Sequence, residues 1–479
     1  MRHNDFIDYM IKLPRIIIAG TNSGVGKTTV TLGIMSALVK KGIIVQGFKS
    51  GPDYIDPSHH NFVTGNASRN LDTWIMGNDV CRELFERSAI KADVSVIEGV
   101  MGLYDGSIDS TGLGSTAHLA KVLKAPVILV INAKGMAQSA GAMVLGYKEF
   151  DKDINLAGVI VNNVAGQSHY DYIKKSVEKT CSIPVLGYLQ KDKEITIPER
   201  HLGLIPSAEN KTHSILYERL GEMVLETIDI DELLKVARSA DDFPNYKKTI
   251  FQEDNRTYDI QIALAKDEAF CFYYQDDIEL FESLGARIRY FSPLNDERIP
   301  DDVDGIFIGG GFPELYAESL MKNTSMRNAI SDAASQGTLI YGECGGMMYL
   351  LEELIDTEER SFRMCGVLEG TSRMENKRQG LGYISVGALC DNPLCKKGDT
   401  FRAHEFHWSR LLDVPKDTVF AYEARKSNGK RCGLDGIYSK DNIIASYTHV
   451  HFSSNPRLVN NLLLSMAKSS RNKLITERI

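Results

Sequence analysis

The chain has 479 residues, of which 43% are hydrophobic and 25% charged, a composition typical of a soluble globular protein with two or three domains. Its net charge of −8 disfavours a nucleic-acid partner, and its longest apolar runs are too short to cross a membrane. Eight cysteines without a C-x-x-C pair, and a start without a signal-peptide pattern, predict a cytoplasmic protein with reduced thiols.

Short β-branched runs alternate with helix-length amphipathic stretches in the first half, which predicts an α/β fold with a doubly wound parallel sheet. The predicted strands of this half are residues 15–19, 43–48, 94–98, 127–131, 156–162 and 184–188. A polar stretch at 241–258 predicts a linker, and a new α/β rhythm begins at the run IQIALAKD. We therefore predict one domain over residues 1–240 and a second over 259–479.

The segment GTNSGVGKTT joins the first predicted strand to a helix that begins near Lys27. Glycines in such a loop let backbone amides face phosphate, and the helix N-terminus adds positive potential. Lys27 is placed to reach the terminal phosphates of ATP, and Thr28 to bind a magnesium ion (Mg2+). The predicted nucleotide-binding residues are Gly24, Gly26, Lys27, Thr28 and Thr29. Because Thr21 occupies the first glycine position of the strict pattern, the loop resembles the dethiobiotin synthetase-like branch of P-loop enzymes, which activate carboxylates.

Acidic residues follow two further strands at the predicted carboxyl edge of the sheet, where doubly wound folds bind ligands. Glu98 ends an apolar strand and suits a magnesium contact, either direct or through water. Asp53, Asp56 and Asp105 lie in turn-rich loops, where acidic residues are also common as turn formers. Because these loops share an edge with the phosphate loop, we interpret them as part of a substrate site.

The run GECGG follows the apolar strand TLIY and carries Cys344. A G-x-C-x-G turn places a nucleophile on a strained elbow between strand and helix, where the next backbone amide faces a developing oxyanion. The helix N-terminus also favours the thiolate. We therefore interpret Cys344 as a nucleophile toward the amide of glutamine. The predicted oxyanion amides come from Gly345 and from the glycines at 309–311, with Gly310 preferred.

A nucleophilic cysteine needs a base, and the run IIASYTHVHF offers His449 and His451 on one face of a predicted strand. Either imidazole could reach the sulfur. The run HEFH at His404 lacks the i, i+4 spacing of a zinc-binding helix, so we predict no metal site there. Three histidines of the first half could contact an anionic substrate or make structural hydrogen bonds: His59, His60 and His118.

Motifs along nearly the whole chain resemble the cobyrinate a,c-diamide synthase family of corrinoid glutamine amidotransferases. They are, in order, GTNSGVGKTT, FKSGPDYIDPSHH, NLDTW, IEGVMGLYDG, LGSTAHLAK, DEAFCFYY, FSPLND, IGGGFPE, GECGGMMYL, HEFHWS and SYTHVHF. The resemblance implies that ATP and Mg2+ activate the a- and c-acetates of cobyrinate or a related tetrapyrrole. Ammonia for each amide would come from L-glutamine, in a class I glutamine amidotransferase-like second domain.

The same resemblance implies that Cys344 is the glutaminase nucleophile and His449 its base, with Thr28 and Glu98 at the metal. The substrate-binding residues that it implies are Asp53, Tyr54, Asp56 and Asp105. Glutaminases of this class usually end in F-H-P-E, with a glutamate two residues after the histidine. This chain has His451 there, so a Cys–His dyad is implied and the group that orients His449 is left open.

Other interpretations share part of the pattern. Nickel sirohydrochlorin a,c-diamide synthase and hydrogenobyrinate a,c-diamide synthase have the same two target acetates, and the loops do not reveal the central metal. A nucleotide-controlled binding switch would not need the Cys–His pair, and a tetrapyrrole carrier would not need the phosphate loop. We expect no nucleic-acid or membrane partner, and a homodimer is compatible with the sequence.

Overall fold

The computed structural model describes residues 12–107, 112–191, 199–200, 203–204, 213–252 and 257–476. The chain divides into two compact units, Met1–Lys248 and Thr249–Ile479. The division falls inside the segment 241–258. Within the described ranges, no helix has both the length and the apolar character needed to cross a lipid bilayer.

Strands and helices alternate along the first unit. Its described strands are β1 (Arg15–Gly20), β2 (Val45–Ser50), β3 (Arg69–Leu71), β4 (Val94–Glu98), β5 (Val127–Asn132), β6 (Leu156–Val164), β7 (Val185–Gln190), β8 (Glu199–Arg200) and β9 (Gly203–Leu204). Its described helices are α1 (Lys27–Lys40), α2 (Ile55–Thr64), α3 (Gly77–Ala89), α4 (Thr116–Leu123), α5 (Ser139–Phe150), α6 (Gln167–Cys181), α7 (His213–Thr227) and α8 (Ile230–Arg238).

Seven of these strands form a parallel sheet in the order β3-β2-β4-β1-β5-β6-β7, which confirms the predicted fold class. The central strands are buried apolar runs, as expected when helices cover both faces. All six predicted strands are present. The structure adds β3, an edge strand whose short polar run RNL gives no strand signal. The carboxyl ends of β1, β2 and β4 meet at one edge of the sheet, where a ligand is expected.

The first residues of the predicted linker are packed onto the first unit. The ring of Phe243 is buried and stacks on Phe85, with ring centroids 5.3 Å apart. Nη2 of Arg15 donates a hydrogen bond to the carbonyl oxygen of Asp241 at 2.8 Å. The described residues of the segment, 241–252 and 257–258, contain no helix or strand. The average composition of the segment is polar, but Phe243 within it packs into the first unit.

The second unit has many more strands than helices. Its described strands are β10 (Ile260–Ala265), β11 (Ala286–Phe291), β12 (Gly305–Ile308), β13 (Leu339–Glu343), β14 (Glu353–Ile355), β15 (Ser361–Arg363), β16 (Thr371–Met374), β17 (Gly380–Ala388), β18 (Thr400–His407), β19 (Ser409–Leu412), β20 (Phe420–Lys426), β21 (Arg431–Ser439), β22 (Ile443–Ser446) and β23 (Thr448–His449). Its described helices are α9 (Gln275–Ser283), α10 (Ala317–Lys322), α11 (Thr324–Ser335), α12 (Gly345–Leu350) and α13 (Pro456–Thr476).

The main sheet of the second unit is half parallel and half antiparallel. Its order is β11-β10-β12-β13-β22-β21-β20-β17-β18-β23, and a separate sheet has the order β15-β14-β16-β19. The five strands from β11 to β22 are parallel, as the α/β rhythm predicts. The antiparallel half was not predicted, because its strands are only partly buried and lack the continuous apolar runs of parallel strands.

Candidate active sites

The phosphate loop connects β1 to α1 and needs glycine at two positions. Gly24 has φ +76° and Gly26 has φ +97°, a left-handed conformation that side chains rarely adopt. A Cβ atom on Gly26 would lie 2.1 Å from Nδ2 of Asn162. Asn162 also donates from this atom to the carbonyl oxygen of Val25 at 3.0 Å, which fixes the loop from β6.

Replacing Gly26 with alanine is expected to weaken ATP binding by about tenfold or more, because a strained φ and an overlap with Asn162 would distort the loop. Titration calorimetry with ATP measures this change. Gly42→Ala is the matched control, since Gly42 has φ +76° but open space around its Cα. Equal ATP affinities for the two variants would contradict the prediction.

The Lys27 side chain folds back over the phosphate loop. Its Nζ donates to the carbonyl oxygens of Met101 at 2.5 Å and Asn22 at 3.3 Å. Burial and the nearby Lys49 ammonium lower the pKa of Lys27. Three carboxylates within electrostatic range oppose this effect: Glu98, Asp56 and Asp105. The two carbonyl contacts hold the ammonium of Lys27 at the loop. Thr29, the other predicted nucleotide-binding residue next to Thr28, is half-buried in the first turn of α1.

Glu98 ends β4, is fully buried, and has partners on both carboxylate oxygens. Oε1 accepts a hydrogen bond from the Thr28 hydroxyl at 2.6 Å and lies 3.1 Å from Nζ of Lys49. Oε2 lies 2.8 Å from Nε2 of His60. Burial alone would raise the pKa of Glu98, but Lys49 and His60 lower it. Glu98 is therefore an ionised anchor that fixes the hydroxyl of Thr28.

Lys49 is the cation at the centre of this acidic cluster. It lies opposite Glu98 in the register of β2 and β4, donates to Asp56, and lies 3.9 Å from Asp53. Burial would lower the pKa of Lys49, but these three carboxylates raise it. Burial and the neighbouring Asp53 and Glu98 carboxylates raise the pKa of Asp56 well above its usual value. One buried ammonium thus stabilises the carboxyl groups beside the phosphate loop.

The four expected substrate residues differ in exposure. Asp56 is buried against Lys49, and Asp53 accepts from two backbone amides at the start of α2, at 2.8 and 3.2 Å. Tyr54 is half-buried and immediately precedes α2. Asp105 is exposed, and its Oδ2 accepts from a backbone amide of its own loop at 2.9 Å. Asp105 is therefore the most exposed of the four, Asp53 and Tyr54 are half-buried, and Asp56 is buried.

The three histidines of the first unit make internal contacts. His59 and His60 are fully buried, the first facing the hydroxyl of Tyr217 and the second facing Glu98. Nδ1 of His118 lies 2.8 Å from a threonine hydroxyl. Of the two alternatives for these residues, the structure favours structural hydrogen bonds.

Cys344 lies between β13 and α12 with φ +47° and ψ −101°, a conformation that costs energy in any residue with a side chain. Its amide donates to the carbonyl oxygen of Ser446 at 2.7 Å, and its sulfur lies 3.9 Å from the carbonyl oxygen of Phe406. The next two residues must be small. A Cβ atom on Gly345 would lie 2.9 Å from Cδ of Pro313, and one on Gly346 would lie 2.0 Å from the carbonyl oxygen of Ile308. The local chain therefore forms the strained elbow expected for a nucleophile.

His449 ends β23 and is buried beside Cys344. Its Nδ1 lies 3.7 Å from Oε2 of Glu343, and its ring stacks on His404 with centroids 4.9 Å apart. Burial alone would lower the pKa of His449, but Cys344, which is hydrogen-bonded to it, and Glu343 raise it to about 10. The raised pKa favours the protonated, imidazolium form of His449 at neutral pH.

The predicted oxyanion glycines lie around the same space. A Cβ atom on Gly310 would lie 2.8 Å from Cε1 of His449, and one on Gly345 would lie 3.1 Å from the amide nitrogen of Gly311. The amide of Gly309 donates to the hydroxyl of Tyr273 at 2.8 Å, so Gly309 already has a partner. The structure thus brings Gly310 and Gly345 to the Cys–His pair.

His451 has different neighbours from His449. Its Nδ1 lies 3.1 Å from Oδ1 of Asp277, and its ring stacks on Tyr274 with centroids 4.4 Å apart. The predicted strand alternation does not continue, because β23 ends at His449. The structure therefore places His449 beside Cys344 and His451 beside Asp277.

Three residues at these sites were not identified as such from the sequence: Lys49, Glu343 and His404. Two of them oppose a site residue in adjacent strands, Lys49 against Glu98 and His404 against His449. Glu343 directly precedes the nucleophile. No group of three or more histidine, cysteine or acidic side chains with metal-binding geometry occurs in the described ranges, the run at His404 included.

Two family models match the chain. The CobQ/CobB/MinD/ParA nucleotide binding domain matches residues 16–205, and the CobB/CobQ-like glutamine amidotransferase domain matches residues 261–457. Proteins named cobyrinate a,c-diamide synthase are similar over both units. That of Priestia megaterium is 42% identical over 447 residues, 93% of this chain and 96% of its own. The protein of Dehalococcoides mccartyi is also 42% identical, and the match covers 95% of this chain and 98% of that protein. The protein of Methanothermobacter thermautotrophicus is 42% identical, and the match covers 93% of this chain and 98% of that protein.

Proposed function

The chain belongs to the cobyrinate a,c-diamide synthase family, and we propose that it converts the a- and c-acetate carboxylates of cobyrinate to amides, using ATP and glutamine. It is a carbon–nitrogen ligase with glutamine as the amido donor. The observation that supports this most strongly is the presence of both reactive centres in one chain, a phosphate loop with its acidic cluster and an elbow cysteine hydrogen-bonded to a histidine.

The amidotransferase unit releases ammonia by nucleophilic catalysis. The Cys344 thiolate attacks the side-chain carbonyl carbon of glutamine, and backbone amides at Gly345 and Gly310 hold the oxyanion. The His449 imidazolium gives its proton to the departing ammonia, which leaves a thioester on the sulfur. The neutral imidazole then takes a proton from water, which attacks the thioester and releases glutamate.

The nucleotide-binding unit makes the acetate reactive. An acetate oxygen of the substrate attacks the γ-phosphorus of ATP, and Lys27 offsets the charge that accumulates on the transferred group. Ammonia then attacks the acyl phosphate carbon and displaces phosphate, which gives the amide. Water must be kept from the acyl phosphate, because hydrolysis would waste ATP. Two such cycles convert the two acetates.

The residues beside the phosphate loop fit a magnesium ion. The Thr28 hydroxyl and the carboxylates of the cluster are the oxygen ligands that Mg2+ prefers, and the ion would offset the charge of the phosphates. Because both oxygens of Glu98 already have partners, we assign Glu98 to holding Thr28 or to contact with the ion through water. Thr28 is the direct ligand in this proposal.

Existing contacts and exposure together divide the substrate residues by role. Tyr54 and Asp105 are accessible at the loop and are assigned to contact with the tetrapyrrole. Asp53 and Asp56 are assigned to holding the loop and Lys49 in place. For the whole protein we propose a cytoplasmic location and a homodimer, and light scattering of the purified chain measures the latter.

The choice of tetrapyrrole is tested by offering cobyrinate, hydrogenobyrinate and nickel sirohydrochlorin separately, each with ATP and glutamine, and identifying the products by mass spectrometry. We expect the a,c-diamide of cobyrinate to form with the highest kcat/KM, with two ATP consumed for each diamide. If hydrogenobyrinate or nickel sirohydrochlorin were amidated with the higher kcat/KM, that compound would replace cobyrinate as the assigned substrate, and the assigned reaction type would stand. No amide from any of the three would overturn the proposed function.

A further inference from the structure

Glu343 is a buried carboxylate held next to the catalytic pair. It is the last residue of β13, directly before Cys344, and its side chain is 3% exposed. Oε1 accepts hydrogen bonds from the hydroxyl of Tyr341 at 2.5 Å and from the amide of Val450 at 3.2 Å. These bonds fix the carboxylate and leave Oε2 directed at the imidazole, 3.7 Å from Nδ1 of His449.

In glutaminases of this class the residue two positions after the histidine usually supplies such a carboxylate, and this chain has a histidine there. Two residues after His449 stands His451, which lies 3.1 Å from Asp277 and stacks on Tyr274. Among the described residues of this unit, buried histidine–carboxylate pairs therefore occur at His449 with Glu343 and at His451 with Asp277. The first of these pairs includes the imidazole hydrogen-bonded to Cys344.

We propose that Glu343 is the positioning residue of His449, so that the glutaminase site is a Cys–His–Glu triad whose glutamate precedes the nucleophile instead of following the histidine. The inference depends on the proposed glutaminase activity. Glu343 has two effects on the imidazole: it holds a proton on Nδ1, which leaves the other nitrogen for the sulfur, and it stabilises the imidazolium formed when Cys344 is ionised.

The other groups around the His449 imidazole do not act as its positioning residue. His404 lies against its face, and burial together with His449 and His451 lowers the pKa of His404 well below its usual value, so its ring is neutral. The other titratable groups near these residues include Cys344, His407, His451 and Tyr447, with Asp277 behind His451 and with Glu405 and Asp435 near His407. Of the carboxylates named here, Glu343 is the one at ion-pair distance from His449.

The test compares Glu343→Gln with Asp277→Asn in the full chain. Each change removes the charge of one histidine–carboxylate pair at nearly constant volume. In Glu343→Gln we expect kcat for glutamine hydrolysis to fall by about 10²-fold or more with little change in KM. The loss of the negative charge lowers the pKa of His449, so the alkaline limb of the pH profile moves to lower pH. Amidation with free ammonium is expected to stay unchanged.

Asp277→Asn is expected to change kcat for glutamine hydrolysis by less than about threefold and to leave the alkaline limb in place. Three results would overturn the proposal: near wild-type hydrolysis by Glu343→Gln, an equal loss in both variants, or loss of ammonium-dependent amidation in Glu343→Gln, which would indicate a structural role. Absence of glutamine hydrolysis by the wild-type chain would instead contradict the proposed function.

Discussion

Replacing Cys344 with alanine is expected to lower glutamine-dependent amidation by more than about 10³-fold, because no other group can form the thioester. Amidation with free ammonium should continue at close to the wild-type rate, since the phosphate loop and its acidic cluster belong to the other unit. Parallel assays of glutamate release, ATP consumption and amide formation measure the two half-reactions separately. The variant should also keep the conformation of the elbow, because alanine adds no atom that cysteine lacks and therefore creates no new steric overlap.

Cys365→Ala is the matched control, because Cys365 is also buried in the second unit and burial raises the pKa of its thiol to about 12. That thiol stays protonated and cannot act as a nucleophile at neutral pH. We expect glutamine-dependent amidation to survive in this variant. Retained glutaminase in Cys344→Ala, or loss of ammonium-dependent amidation in the correctly folded variant, would contradict the division of labour between the two units.

The phosphate loop and the cysteine elbow could be predicted from the sequence because both are local. The glycine spacing of the turn at Gly24 and Gly26 and of the elbow at Cys344 can be recognised within a few residues of chain, although distant residues such as Asn162 hold these turns in place. The six strands of the first sheet were predictable for a similar reason, since buried parallel strands are short apolar runs.

The environment of these motifs depends on strand order, which the sequence did not supply. Lys49 reaches Glu98 because β2 and β4 are neighbours, and His404 reaches His449 because β18 and β23 are neighbours. Residues that oppose each other in paired strands project from the same face. The role of Glu343 cannot be predicted from the sequence for another reason: an acidic side chain next to a nucleophile can point in either direction, and in the structure its hydrogen bonds from Tyr341 and Val450 fix its orientation.

Replacing Lys49 with methionine is expected to lower amidation from both nitrogen donors by about 10²-fold or more, because Glu98 loses the cation that holds its carboxylate in place to accept from the Thr28 hydroxyl. Glutamine hydrolysis should continue, which is the reverse of the pattern expected for Cys344→Ala. The variant should also destabilise the first unit by about 3–5 kcal/mol, since removing one partner leaves buried carboxylates without their cation.

The pH dependence of this destabilisation has a definite sign. Without Lys49, the pKa of buried Asp56 rises further above its unfolded value, so the folded unit binds a proton that the unfolded chain releases. The variant should therefore be most stable at acidic pH and lose stability as the pH rises, which thermal unfolding monitored across pH measures. Lys40→Met is the control, because its ion pair with Glu222 lies at the surface, where such pairs contribute less than about 1 kcal/mol. If Lys49→Met kept amidation activity, or matched the pH profile of Lys40→Met, the acidic cluster would not depend on Lys49.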